Sequence, residues 1–116
     1  MDKIVSSIAA LGVPGLILTI AIGATGLAGA ASLTAALAAL GPGGMIGGIA
    51  TLGVAALISK GIAEYGVDAI FIAVVKELVK RGESIDSMES KLEKYPISRS
   101  LKLKVKDELE KARKDA

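Results

Sequence analysis

Lys102, Lys104, Lys106, Lys111, Arg113 and Lys114 form a cationic run near the end of the chain. The chemistry such a run offers is attraction to phosphate, on nucleic acid or on anionic lipid heads. Asp107, Glu108, Glu110 and Asp115 are interleaved with it, so most of the run reads as a solvated helix face. Lys102, Lys104 and Lys106 are the candidate lipid-head contacts. The glycine cluster at 41–48 invites comparison with phosphate loops, but no Lys-Ser/Thr follows its last glycine, and Ile46 stands where a dinucleotide loop needs its third. Histidine and cysteine are both absent, which removes imidazole acid–base catalysis, thiolate nucleophiles and the common zinc sites. Serines and lysines occur without a polar cluster or an oxyanion-type turn to activate them. The expectation is a protein that is not an enzyme and uses no metal or cofactor.

Nucleic acid is also an unpromising partner. The net charge is only +2. One Phe, two Tyr and no Trp leave little to stack on bases. Residues 84–95 and 98–114, joined by a Tyr-Pro turn, have the outline of a helix-turn-helix. Their second member has only Arg99 and Arg113, near its ends, to read base edges.

The elements that would carry these side chains divide sharply by composition. Residues 4–59 hold no charge at all, and 24 of the 26 charged residues lie in 60–116. A membrane helix needs about 20 predominantly apolar residues, so the first half has room for two with a turn between. Its content pulls the other way: 14 Ala, 11 Gly, 8 Ser or Thr and 2 Pro leave 21 large apolar side chains among 56 residues. Glycine costs a helix interior roughly 1 kcal/mol relative to alanine, so these helices depend on neighbours. At 116 residues the chain reads as one domain. A helix apolar all round belongs in the centre of a bundle or in lipid, and a small bundle has one centre.

In chain order, Ile4, Ile8 and Leu11 lie at helical spacing before Gly12-Val-Pro-Gly15. A signal peptide is suggested by Lys3 and by Ala28-Gly-Ala30, and opposed by Asp2, which cancels Lys3. The next helix is expected over 14–30, with Leu16, Ile17, Leu18, Ile20, Ile22 and Leu27, then a break at which Ser32 caps a segment striped by Leu33, Leu37 and Leu40. Gly41-Pro-Gly-Gly44 breaks the chain again. Residues 45–65 should form the longest helix, with Gly44, Gly48, Thr51, Ala55 and Ser59 making a small-residue face suited to close helix packing. Gly66 ends it. Residues 67–81 are amphipathic through Val67, Ile70, Phe71, Val74, Val75 and Leu78. Ser84 caps a short helix carrying Ile85, Met88, Leu92 and Tyr95, and Pro96 stops it. Residues 98–114 put Leu101, Val105, Leu109 and Ala112 on one face, supported by Asp107–Lys111 and Glu110–Lys114 pairs. Residues 101–106 also alternate with period two, but no partner strand is visible. The fold expected is all-α, a small helical bundle with an apolar Gly/Ala-rich first half and amphipathic C-terminal helices.

The first half also resembles a family. Ile8-Ala-Ala-Leu-Gly-Val-Pro-Gly15, Ala24-Thr-Gly26, Thr34-Ala-Ala-Leu-Ala-Ala-Leu-Gly41, then Gly43-Gly-Met45 and Gly47-Gly48, are similar to bacterial Bell domains. These are small helical domains of amyloid-signalling, NLR-associated systems, compared with fungal HeLo-type cell-death domains. The resemblance covers about half the chain. It implies a toxin-like executioner whose apolar N-terminal region enters the membrane once a partner triggers oligomerisation, through a short amyloid motif in family members. No such motif follows Lys114 here, which leaves a domain of a longer protein or a member controlled differently.

Together these readings give a membrane-permeabilising domain in prokaryotic regulated cell death or defence, cytoplasmic at rest and at the inner membrane when active. The inserting residues would be Ile4, Ile8, Leu11, Leu16, Ile17, Leu18, Ile20, Ile22, Leu27, Leu33, Leu37 and Leu40. Expected partners are membrane lipids, further copies of the chain on activation, and an NLR-type or amyloid-motif signalling protein. Two alternatives stand beside it: a constitutive holin-like or anchoring hairpin, and a soluble homo-oligomeric interaction module.

Overall fold

Helical periodicity, where it is strong, sets which faces meet in the centre. The structure is a computed structural model that describes residues 1–38 and 48–115, with side chains described for 1–26 and 53–115. Among the described residues there are six helices and no strand: α1 (Asp2–Ala9), α2 (Val13–Ala38), α3 (Gly48–Tyr65), α4 (Val67–Lys80), α5 (Ile85–Leu92) and α6 (Arg99–Asp115). The chain is an all-α bundle.

The amphipathic helices behave as their patterns require. In α4, Ile70, Phe71, Val74, Val75 and Leu78 are buried, with Val67 half-buried at the edge of the face. Only Gly66 separates α3 from α4, at φ 89° and ψ 153°, a backbone shape that side chains on Cβ resist. Ser84 caps α5 by accepting a hydrogen bond from the Ser87 amide at 3.0 Å, and Met88 and Leu92 turn inward. The Leu101 amide donates to Ser98 Oγ at 3.2 Å at the start of α6. Val105, Leu109 and Ala112 form its buried stripe, and the period-two pattern at 101–106 is helical.

The apolar half contains one correction. Helix α2 starts at Val13, so Pro14 sits in the first turn, where its missing N–H costs nothing. Its break is at Gly26, with φ 78° and ψ −179°, and Ser32 lies inside the helical segment that follows rather than capping it. Neighbouring contacts decide between the candidate glycines. A Cβ at Gly23 would come within 2.9 Å of Val67 Cγ2, so α2 stays helical there to fit against α4, whereas a Cβ at Gly26 would meet no described residue within 4 Å. The expected break at Gly41–Gly44, the start of α3 at Met45, and the positions of Leu40 and Gly44 lie outside the described residues.

Helix α2 packs against all five other helices. Leu16, Ile17 and Leu18, three consecutive residues that face three different ways around a helix, are all fully buried. This is the central position that an all-round apolar helix requires.

Candidate functional site

The site has two parts, an apolar centre and the charged helices laid over it. Ile4, Ile8, Leu16, Ile17, Leu18, Ile20 and Ile22 join one continuous core, and Leu11 packs against its margin. Leu27, Leu33 and Leu37 lie along α2 beyond Gly26, outside the described side chains. Of the small-residue face, Gly48 and Thr51 fall in the first turn of α3, also outside the described side chains. Ala55 is buried and Ser59 half-buried.

Two further tight approaches to described glycines lie off this face. A Cβ at Gly15 would overlap the carbonyl oxygen of Ile8, which is backbone and cannot turn aside. A Cβ at Gly61 would lie 3.0 Å from Ile70 Cδ1 and 3.2 Å from Ile4 Cγ2. Gly15 thus seats α1 on α2, and Gly61 seats α3 on α1 and α4. The Gly12-Val-Pro-Gly15 turn held a signal for the first. Gly61, after the charged Lys60, held none.

Polar groups inside the apolar centre satisfy themselves. Thr19 is fully buried, and its hydroxyl donates to the Gly15 carbonyl at 2.8 Å. Thr25 donates to the Ala21 carbonyl, also at 2.8 Å. Bonding to the carbonyl four residues back leaves no hydroxyl in need of a partner on another helix or in water.

The covering helices are tied to one another by charge. Arg113 Nη2 meets Asp86 at 2.9 Å and Glu89 at 2.6 Å on α5, while Nε donates to Glu110 at 3.0 Å. Lys76 of α4 pairs with Asp115 at 3.0 Å, and Lys111 reaches both Glu108 at 2.9 Å and Asp68 at 3.9 Å. The Arg113 guanidinium is held above its ordinary range by its bonds to Asp86, Glu89 and Glu110. The expected Asp107–Lys111 and Glu110–Lys114 pairs are not formed. Glu108 and Glu110 take Lys111 and Arg113 at three-residue spacing, because acids on α4 and α5 draw those cations sideways.

Between this cover and α1 with α2 through Gly26, polar linkage is sparse. Among the described residues it consists of one hydrogen bond, from Arg81 Nη2 to Ser6 Oγ at 3.1 Å. The centre the two parts share is one continuous cluster of apolar side chains. No single described helix is long and apolar enough to cross a membrane. Asp2–Ala9 and Val13–Gly26 reach that length and composition only as a pair, and they are bent by 119°.

The three candidate lipid-head lysines do not line one cleft. Lys104 lines a cleft of about 550 Å³ between α2 and α6, beside Asp107, Glu108, Glu110 and Lys111. Lys102 and Lys106, four residues apart, line a different cleft of about 480 Å³ with Arg99, Leu103, Glu93 and Ile97. No known family model matches the chain, and neither a curated protein nor a solved structure matches it.

Proposed function

We propose that the chain is a membrane-permeabilising effector domain of prokaryotic regulated cell death or defence, switching from the closed bundle to a membrane-inserted oligomer. One observation carries the reading. Among the described residues, α1 and α2 through Gly26 are held under the charged cover by an apolar core and a single hydrogen bond, while the cover helices hold one another by ion pairs. Lipid tails replace apolar contacts at little cost, and the self-bonded Thr19 and Thr25 need nothing from water. The cover would therefore stay together at the surface while α1 and α2 leave it.

On this reading Ile4, Ile8, Leu11, Leu16, Ile17, Leu18, Ile20 and Ile22 enter first, followed by the apolar sequence through Leu40. The resemblance to Bell domains supplies the biological setting, with a resting state in the cytoplasm and a signalling partner as trigger. No catalytic role is assigned. The complete burial of Leu16, Ile17 and Leu18 also suits a soluble interaction module, which a stable oligomer that leaves vesicles intact would select.

A reversible lock tests the switch. The chain has no cysteine, and a Cβ at Gly23 would stand 3.4 Å from Val67 Cβ, close to disulfide separation. Protein carrying Gly23→Cys and Val67→Cys should leave dye-loaded anionic vesicles intact when oxidised and empty them when reduced. Equal leakage in both states, or none from the reduced protein and none from the unsubstituted chain, defeats the proposal.

A further inference from the structure

The charge of this chain is concentrated at one end of the cover. Residues 91–106 contain six Lys or Arg and one acid, Glu93, although the whole chain carries only +2. The rest of the chain is therefore net negative. Within this basic segment, Arg99, Lys102 and Lys106 follow one another at three and four residues, which puts them on one side of α6. They line a common cleft with Glu93, Ile97 and Leu103. Lys102 Nζ donates to the Glu93 backbone carbonyl at 3.0 Å, fixing that ammonium at the mouth of the turn between α5 and α6. None of the three cations is in an ion pair with another described residue, in contrast to Lys111 and Arg113 farther along the same helix. Leu103 stands among them 51% exposed, the most exposed of the large apolar side chains described.

The geometry points to this face as the docking site for an anionic phospholipid surface, with Arg99, Lys102 and Lys106 taking headgroup phosphates and Leu103 entering the acyl boundary. Charge complementarity selects the anionic partner. The exposed leucine selects lipid over nucleic acid, because a cation-flanked apolar side chain gains by entering an acyl layer and gains nothing on a phosphate backbone. Lys104 takes no part, since it faces the acids of the other cleft. The inference deepens the permeabilising reading by naming the surface that would bring the closed bundle to the membrane, and it rests on that reading for its consequence.

Sedimentation with vesicles of phosphatidylcholine alone, or with phosphatidylserine added, tests it on the full chain. Leakage is recorded from the same samples. Each basic residue near an anionic surface strengthens partitioning about fivefold, so Arg99→Gln, Lys102→Gln and Lys106→Gln together should weaken binding about a hundredfold. A matched control, Lys3→Gln, Lys60→Gln and Lys80→Gln, removes the same charge from exposed sites elsewhere and should weaken it far less. Leu103→Gln, with helicity verified by circular dichroism, should weaken binding several-fold without changing its salt dependence. Equal losses in the cleft variant and the control would overturn the inference, as would equal binding to neutral vesicles or tighter binding to a DNA duplex than to vesicles. Binding that follows these variants without any leakage would leave the docking face standing and remove the permeabilising function; leakage that ignores them would do the reverse.

Discussion

From Leu16 to Ile22 every side chain of α2 is buried whichever way it faces, whereas α4 buries Ile70, Phe71, Val74, Val75 and Leu78 and leaves Asp68, Lys76 and Lys80 in solvent. The two helices are neighbours and both are central to the core, yet their positions are specified differently. Helix α4 carries its orientation in its own sequence, because turning it would bury charge. Helix α2 has no side that water prefers, so its neighbours decide where it lies. A helix of that kind loses little when lipid takes the place of those neighbours, and α4 could not follow it without desolvating four charges, Glu77 included.

The strongest test of this contrast is at Phe71, fully buried on the α4 face. Phe71→Ala should cost about 3–5 kcal/mol in urea unfolding followed by circular dichroism, a large part of the stability of a small domain. It weakens the cover and leaves the apolar helix unchanged, so on the permeabilising reading it should also speed vesicle leakage. A loss below about 1 kcal/mol would mean that α4 is not the wall that holds α2.

A second test uses glycines in place of large side chains. Gly15→Ala drives a methyl into the Ile8 carbonyl and should cost about 1–3 kcal/mol, as overpacking against an immovable atom does. Gly53 lies within α3 with no described residue within 4 Å of its Cβ position, so Gly53→Ala should stabilise by about 0.5–1 kcal/mol. Opposite signs from one chemical change would separate a glycine needed for approach from one that is merely tolerated. The same sign at both would break the account of how α1 is seated.

The same contrast explains what could be read from the sequence. Helices α4 and α6 are legible to within a residue, because apolar periodicity fixes their faces and Gly66 marks the turn before α4; α5 is legible in its start at Ser84, but it ends at Leu92, so Tyr95 and Pro96 lie in the turn beyond it. Helix α2 was legible as apolar but not in its break. Gly23, Gly26 and Gly29 are equivalent in a run of small residues, and the fit of Gly23 against Val67, 44 positions away, is what sets Gly23 apart from Gly26. The ion pairs differ from the expected ones for a related reason: spacing along α6 names partners on α6, while Asp68, Asp86 and Glu89 arrive from other helices. Lys102 and Lys106 could be picked out as cations, but their separation from Lys104 depends on which cleft each one lines.

The smallest effect expected lies in the polar part of the cover, at Glu83, and it shows how differently that region is held. A hydrogen bond from Lys91 keeps the Glu83 carboxyl below its ordinary value of 4.5, against partial burial, which raises it, with Ser87 adding to the lowering. A carboxylate whose folded value is depressed contributes stability in full above its unfolded value and loses it as pH falls through the folded one. The contribution should therefore be constant from neutral pH to about pH 5 and decline below about pH 4.5. Both partners are partly solvated, with side-chain exposures of 26% for Glu83 and 50% for Lys91, so the loss should be at most about 1 kcal/mol. Comparing urea midpoints of the parent chain and Glu83→Gln across that range isolates it: the two curves should converge as pH falls. Curves that stay parallel would show that the Lys91 contact contributes nothing to the fold, leaving α5 held by Met88, Leu92 and the bonds from Arg113 to Asp86 and Glu89.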